Sequence, residues 1–151
     1  MKTLQQIFDQ SLNAIRLQGE PSIKYEAGAP CLYRHTTAEG KQLKCGVGHL
    51  IPDAGYSPQF DDSCAEGTES LTGSAIDLLM VESLKLKAAL LSVGIDVSDP
   101  KVKDLLHTLQ KAHDVSSCSA SIAGGTGFVA AFNKRMEMVA KSVGLTYSEA
   151  S

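Results

Sequence analysis

A chain of 151 residues and 16.0 kDa, 43% hydrophobic and 21% charged, has the make-up of a globular protein and not of a disordered or fibrous one. Its 14 basic and 17 acidic side chains leave a net charge of −3, and only Lys134-Arg135 places two basic residues side by side. This scatter argues against a dedicated nucleic-acid binder, and nucleic acid is not an expected partner; no apolar run approaches 18 residues, so no membrane partner is expected either.

Residues 3–18 predict a helix, with Leu4, Ile7, Phe8, Leu12 and Ile15 on one face. Thr3 and Gln6 fit a capping box, and Gly19 with Pro21 ends the helix. Gln5, Gln6, Asp9, Gln10 and Asn13 interrupt the apolar positions, so no signal peptide is expected.

Residues 31–48 predict a β-hairpin turning at Ala38-Glu39-Gly40, with Gly40 in the left-handed position of a three-residue loop. That turn pairs Thr37 with Lys41, Tyr33 with Cys45 and Cys31 with Val47. One face then carries Cys31, Tyr33, Leu43, Cys45 and Val47, and the other Leu32, Arg34, Thr36, Gln42 and Lys44.

A long loop is expected at 49–73, with Pro52, Pro58 and the acidic Asp61, Asp62 and Glu66. Helix two is expected from Ser74 to Val93, capped by Gly94; its leucines, Leu84 and Leu91 among them, spread over more than one stripe and predict the most buried helix. Helix three is expected over Pro100–Asp114, started by Asp99. A Ser/Gly-rich loop at 115–125 leads to helix four over Thr126–Val143, with Phe128, Val129, Phe132, Met136, Val139 and Val143 inside. Polar residues after Gly144 predict a frayed end. The expected fold is α+β, mostly helical: about four helices packed with one hairpin, in a single domain spanning 1–151.

Four cysteines, Cys31, Cys45, Cys64 and Cys118, without a CxxC spacing, point to reduced thiols and to no cofactor. Cys31 and Cys45, diagonal neighbours on the hairpin, together with His49 are the residues that could ligate a metal, with Cys64 as a fourth ligand; small apolar thiols filling a core face are the favoured alternative. Cys45 with His49 or His113 is the one conceivable nucleophile–base pair. Arg34, Lys44, Asp53 and Tyr56 gather at the hairpin end and could hold a phosphate or carboxylate. Their structural alternative is Arg34 paired with Asp53. His113, taken to end helix three, is either stabilised there by the helix dipole or part of a binding site. Ala123-Gly124-Gly125-Thr126-Gly127 could present amide groups to an anion, or be a loop with Thr126 as N-cap.

The run Cys31-Leu32-Tyr33-Arg34, Gly40, Lys44-Cys45, Val47-Gly48 and Leu50-Ile51-Pro52-Asp53 with Tyr56 resembles a family of small proteins of tailed phages and prophages. That family has a C-x-Y-R segment, a glycine turn, then K-C-x-V-G-x-L-I-P-D and a tyrosine. Leu106, Leu109, Gln110, His113 and Asp114 match its later L-x-x-L-Q-x-x-H-D pattern. This chain departs from the family between Asp114 and helix four, where members are shorter and carry a tryptophan. The resemblance implies a phage origin and the host cytoplasm, and it implies no activity. The resulting expectation is a small phage accessory protein that binds, and inhibits or redirects, a host protein. A protein sequestering a small nucleotide-like or other anionic ligand is the first alternative, and a small zinc- or thiol-dependent enzyme the second.

Overall fold

The computed structural model describes residues 1–23, 32–61, 84–122 and 127–149. Within them the fold is α+β and mostly helical. Helix α1 spans Leu4–Gln18. The Thr3 hydroxyl accepts from the Gln6 amide and the Gln6 side chain accepts from the Thr3 amide, so the capping box forms as expected. Ile7, Phe8, Leu12 and Ile15 are buried, and Gly19 caps the helix in the left-handed conformation.

Strands β1 (Arg34–Thr36) and β2 (Gln42–Lys44) pair antiparallel with Arg34 opposite Lys44. This is the register set by the Ala38-Glu39-Gly40 turn, where Gly40 has a φ of 82° and the Thr37 amide donates to the Lys41 carbonyl. Tyr33, Leu43, Cys45 and Val47 are all buried, as the facial pattern requires. The hairpin is shorter than the 31–48 expected, and Cys31 lies outside the described residues. After Cys45 the chain leaves the ladder and coils, with the His49 amide donating to the Cys45 carbonyl and the Leu50 amide to that of Val47. Gly48 permits this turn: a Cβ there would stand 2.0 Å from the Tyr33 carbonyl oxygen.

Of the expected 49–73 loop, residues 49–61 hold two short 3-10 helices, Asp53–Gly55 and Pro58–Phe60; the remainder lies outside the described residues. So does half of expected helix two, residues 74–83; its described helical part is α2, Leu84–Ser92. It is one-sided and not the most buried helix: Leu86, Ala89 and Leu90 face the core, whereas Leu84 is 77% exposed and Leu91 is exposed too. Gly94 ends it, with the Ile95 amide reaching back to the Leu90 carbonyl.

Helix α3 spans Pro100–Ile122, eight residues longer than expected. Asp99 caps it, its carboxylate accepting from the Lys101 amide. Residues 115–122 are helix, not loop, and two of their serines meet the hydroxyl's need for a partner within the helix. Ser116 and Ser117 hydroxyls donate to the carbonyls of Ala112 and His113. His113 is therefore a mid-helix residue, and the helix-end dipole has no part in its placement.

Helix α4 spans Phe128–Val143 and starts at Gly127; Thr126 lies outside the described residues. Phe128, Phe132, Met136 and Val139 are buried, Val129 is half-buried, and Val143 is exposed, contrary to expectation. Helix α1 packs on both α3 and α4, which pack on each other. The segment after Gly144 is docked rather than frayed. Gln5 exchanges two hydrogen bonds with the backbone of Thr146, and Arg16 lies over the Tyr147 ring and donates to its hydroxyl and to the Ser148 carbonyl.

Candidate functional site

The hairpin places Arg34 and Lys44 side by side across the two strands, and the turn after Ile51-Pro52 brings Asp53 to them. One Asp53 carboxylate oxygen receives Arg34 at 2.9 Å and Lys44 at 3.0 Å. The Lys44 ammonium, then the Arg34 guanidinium, hold the Asp53 carboxyl below its ordinary range. The carboxylate is 79% exposed, but the Arg34 side chain is only 7% exposed. Its guanidinium donates to the Ile51 carbonyl at 3.0 Å and lies 4.2 Å above the centre of the Tyr56 ring, while Nε is buried without a partner. The Tyr56 hydroxyl donates to Asp61, whose carboxylate also accepts the Tyr33 and Arg34 amides. The sequence thus located a real cluster of Arg34, Lys44, Asp53 and Tyr56. Its two cations already share an internal anion.

His113 is not part of that cluster. It is fully buried between α3 and the segment after α1. Its Nε2 accepts the Ser22 amide at 3.2 Å, so Nδ1 carries the hydrogen and faces the Asp114 carboxylate at 3.0 Å. Asp114 in turn accepts from Gln110 at 2.7 Å, and the Gln110 carbonyl oxygen lies 2.9 Å from Cys45 Sγ. A buried polar chain therefore runs from Cys45 on the hairpin, through three side chains one turn apart on α3, to Ser22. Its α3 part carries a sequence signal, since Gln110, His113 and Asp114 share one face by spacing. Its connections to Cys45 and Ser22 are tertiary and carry none.

Cys45 is fully buried, and burial, then the Asp114 charge, pushes its thiol upward, against the thiolate that a nucleophile or metal ligand needs. Gln110 and Asp114 stand between it and the His113 ring. His49 turns away from the thiol, its Nε2 against the Gln18 side-chain oxygen at 3.0 Å. Burial, then Lys44, lowers its pKa to about 4. Among the described residues no group of three or more His, Cys, Asp or Glu side chains is placed to hold a metal ion; Cys31 and Cys64 lie outside them. Cys45 and Cys118 are free thiols, the second exposed. No described helix is long and apolar enough to cross a membrane.

The second residue of the Lys134-Arg135 pair has a setting that its sequence neighbours do not reveal. Arg135 on α4 borders a groove shared with α3, and its Nε is buried without a partner. No family model, curated protein or solved structure matches this chain.

Proposed function

We propose that this chain acts by binding a protein partner and not by chemistry on a small substrate. The observation that carries this reading is the inward placement of one candidate nucleophile–base pair: Cys45 and His113 are both fully buried and hydrogen-bonded within the fold. The hairpin cations, the best candidates for seizing a free anion, already share the carboxylate of Asp53. What is left for recognition is surface shape, exposed apolar side chains and unpaired charge. In keeping with the resemblance of the hairpin motif to phage proteins, the reading is an accessory protein of a tailed phage. Its partner is a host protein in the host cytoplasm, which it inhibits or redirects.

The test is capture of partners from bacterial lysate by the tagged chain, followed by reconstitution with the purified candidate. A single protein that co-elutes with the chain in a defined ratio supports the reading. A chain that purifies with a stoichiometric small anion in native mass spectrometry, and retains no protein, replaces it with ligand sequestration. That result would send attention back to Arg34 and Lys44.

A further inference from the structure

The groove between α3 and α4 has a volume of about 270 Å³ and a mostly apolar lining, with Thr108 and Ser142 as its uncharged polar residues. Ala112 and Val115 line it from α3, Met138 and Val139 from α4. Lys111 and Arg135 bring one cation from each helix. Neither cation meets a carboxylate within the described fold, and Arg135 Nε is buried with no acceptor. A buried donor without a partner costs stability in the free chain. An apolar side chain at 135 would suit the groove better if stability were the only requirement, and such local conflicts mark functional positions.

The shape decides between classes of anionic occupant. Pockets that enclose small ligands run to about 300–1,000 Å³ and cover most of the ligand. This groove lies at the lower edge of that range and is open to solvent along its side. It follows two neighbouring helices for about two turns, roughly 11 Å, which is the surface into which the side-chain ridge of a third helix packs. Met138, 62% exposed beside buried Val139, is the flexible apolar contact that such helix-binding surfaces use.

We propose that the α3–α4 groove docks an amphipathic helix of a partner protein, which lays apolar side chains at i, i+3 or i+4, and i+7 along it and gives a carboxylate to Arg135. The proposal rests on the binding reading above and names the chemistry of its partner. The guanidinium supplies the missing charge complement, and Lys111 attracts the same acidic face from the opposite helix.

The test is selection of a displayed library of random peptides, about 14 residues or roughly four turns long, on the full chain. Enriched peptides should share an Asp or Glu beside apolar residues at helical spacing, and should become helical on binding. Their affinity should fall about tenfold or more with Arg135→Gln, while the melting temperature of the variant stays the same or rises. Met138→Glu, which sets a carboxylate one turn from Arg135 within α4, should cause the same loss by occupying the site from within. Absence of enrichment, or peptides indifferent to both substitutions, overturns the proposal. So does a response of the groove's NMR signals to decanoate and to no peptide, which would assign it to a lipid carboxylate. If a lysate protein is still captured when the groove fails, the broader binding reading survives on another face; if nothing is captured either, both fall.

Discussion

Replacing Arg34 by alanine separates a structural cation from a surface one. The side chain is 7% exposed, so the substitution removes a group that the fold has largely withdrawn from water. Its hydrogen bond to the Ile51 carbonyl, made by a charged donor, is worth about 1.5–3 kcal/mol. Its position over the Tyr56 ring contributes about 1 kcal/mol. The ion pair with Asp53, whose carboxylate is 79% exposed, is screened by water and adds little. Against these stands the buried, unpartnered Nε, whose removal returns about 1 kcal/mol. The net expectation is a loss of about 3 kcal/mol in urea denaturation, with Asp53→Asn costing far less and the two coupled weakly. An Arg34→Ala stability within about 0.5 kcal/mol of wild type would refute the structural assignment and restore Arg34 as a free binding residue. Equal losses in Arg34→Ala and Asp53→Asn would show that the ion pair, not the Ile51 carbonyl, holds the hairpin to its following turn.

Gly48→Ala should destabilise by about 3 kcal/mol or more, because its Cβ would stand 2.0 Å from a carbonyl that is itself bonded to the Cys45 amide; urea denaturation unchanged from wild type would contradict the turn geometry. Leu90→Ala should cost about 2–5 kcal/mol, whereas Leu84→Ala, at a position 77% exposed, should cost under about 0.5 kcal/mol; the reverse order would mean that the buried face of α2 is assigned to the wrong side. His49 is kept neutral by the fold down to a pH of about 4, while an unfolded histidine takes up its proton near 6.5. Its contribution is therefore full above about pH 6.5 and is lost as the pH falls towards 4, by about 2 kcal/mol after solvent screening is allowed for. Denaturation at pH 7 and pH 4.5 should show that extra loss in wild type and not in His49→Gln; parallel losses would remove His49 as the cause.

The features legible in the sequence are those written by neighbouring residues. Thr3 and Gln6 specify the start of α1, and Ala38-Glu39-Gly40 specifies a turn whose register then places Tyr33, Leu43 and Cys45 inside. Asp99-Pro100 likewise announces α3. Its far end was obscured because serine is a poor helix former in general, although Ser116 and Ser117 return their hydroxyls to carbonyls one turn back. The absence of any Gly or Pro between Pro100 and Gly124 was the available signal for a longer helix. Leu84 illustrates the opposite error: a leucine in a leucine-rich segment reads as core, yet its exposure depends on which elements lie beside it. At the candidate site, composition and spacing gathered Arg34, Lys44, Asp53 and Tyr56, but only coordinates reveal that Arg34 is inside and Asp53 outside. The solitude of Arg135 has no local signature, since it follows from the lack of any carboxylate among the residues that line its groove.

The docking of residues 146–148 on α1 has a consequence for synthesis. Gln5 and Thr146, joined by a pair of hydrogen bonds, are 141 positions apart, and Arg16 and Tyr147 are 131 apart. Helix α1 thus leaves the ribosome well before these partners, which lie 131 to 141 positions later in the chain. Until then its buried face, Ile7, Phe8, Leu12 and Ile15, lacks both α3 and α4. Contacts of such long sequence separation slow folding and prolong the exposure of apolar surface. The nascent chain is therefore most vulnerable to aggregation, and most in need of a chaperone, before α4 and the segment that follows it are released.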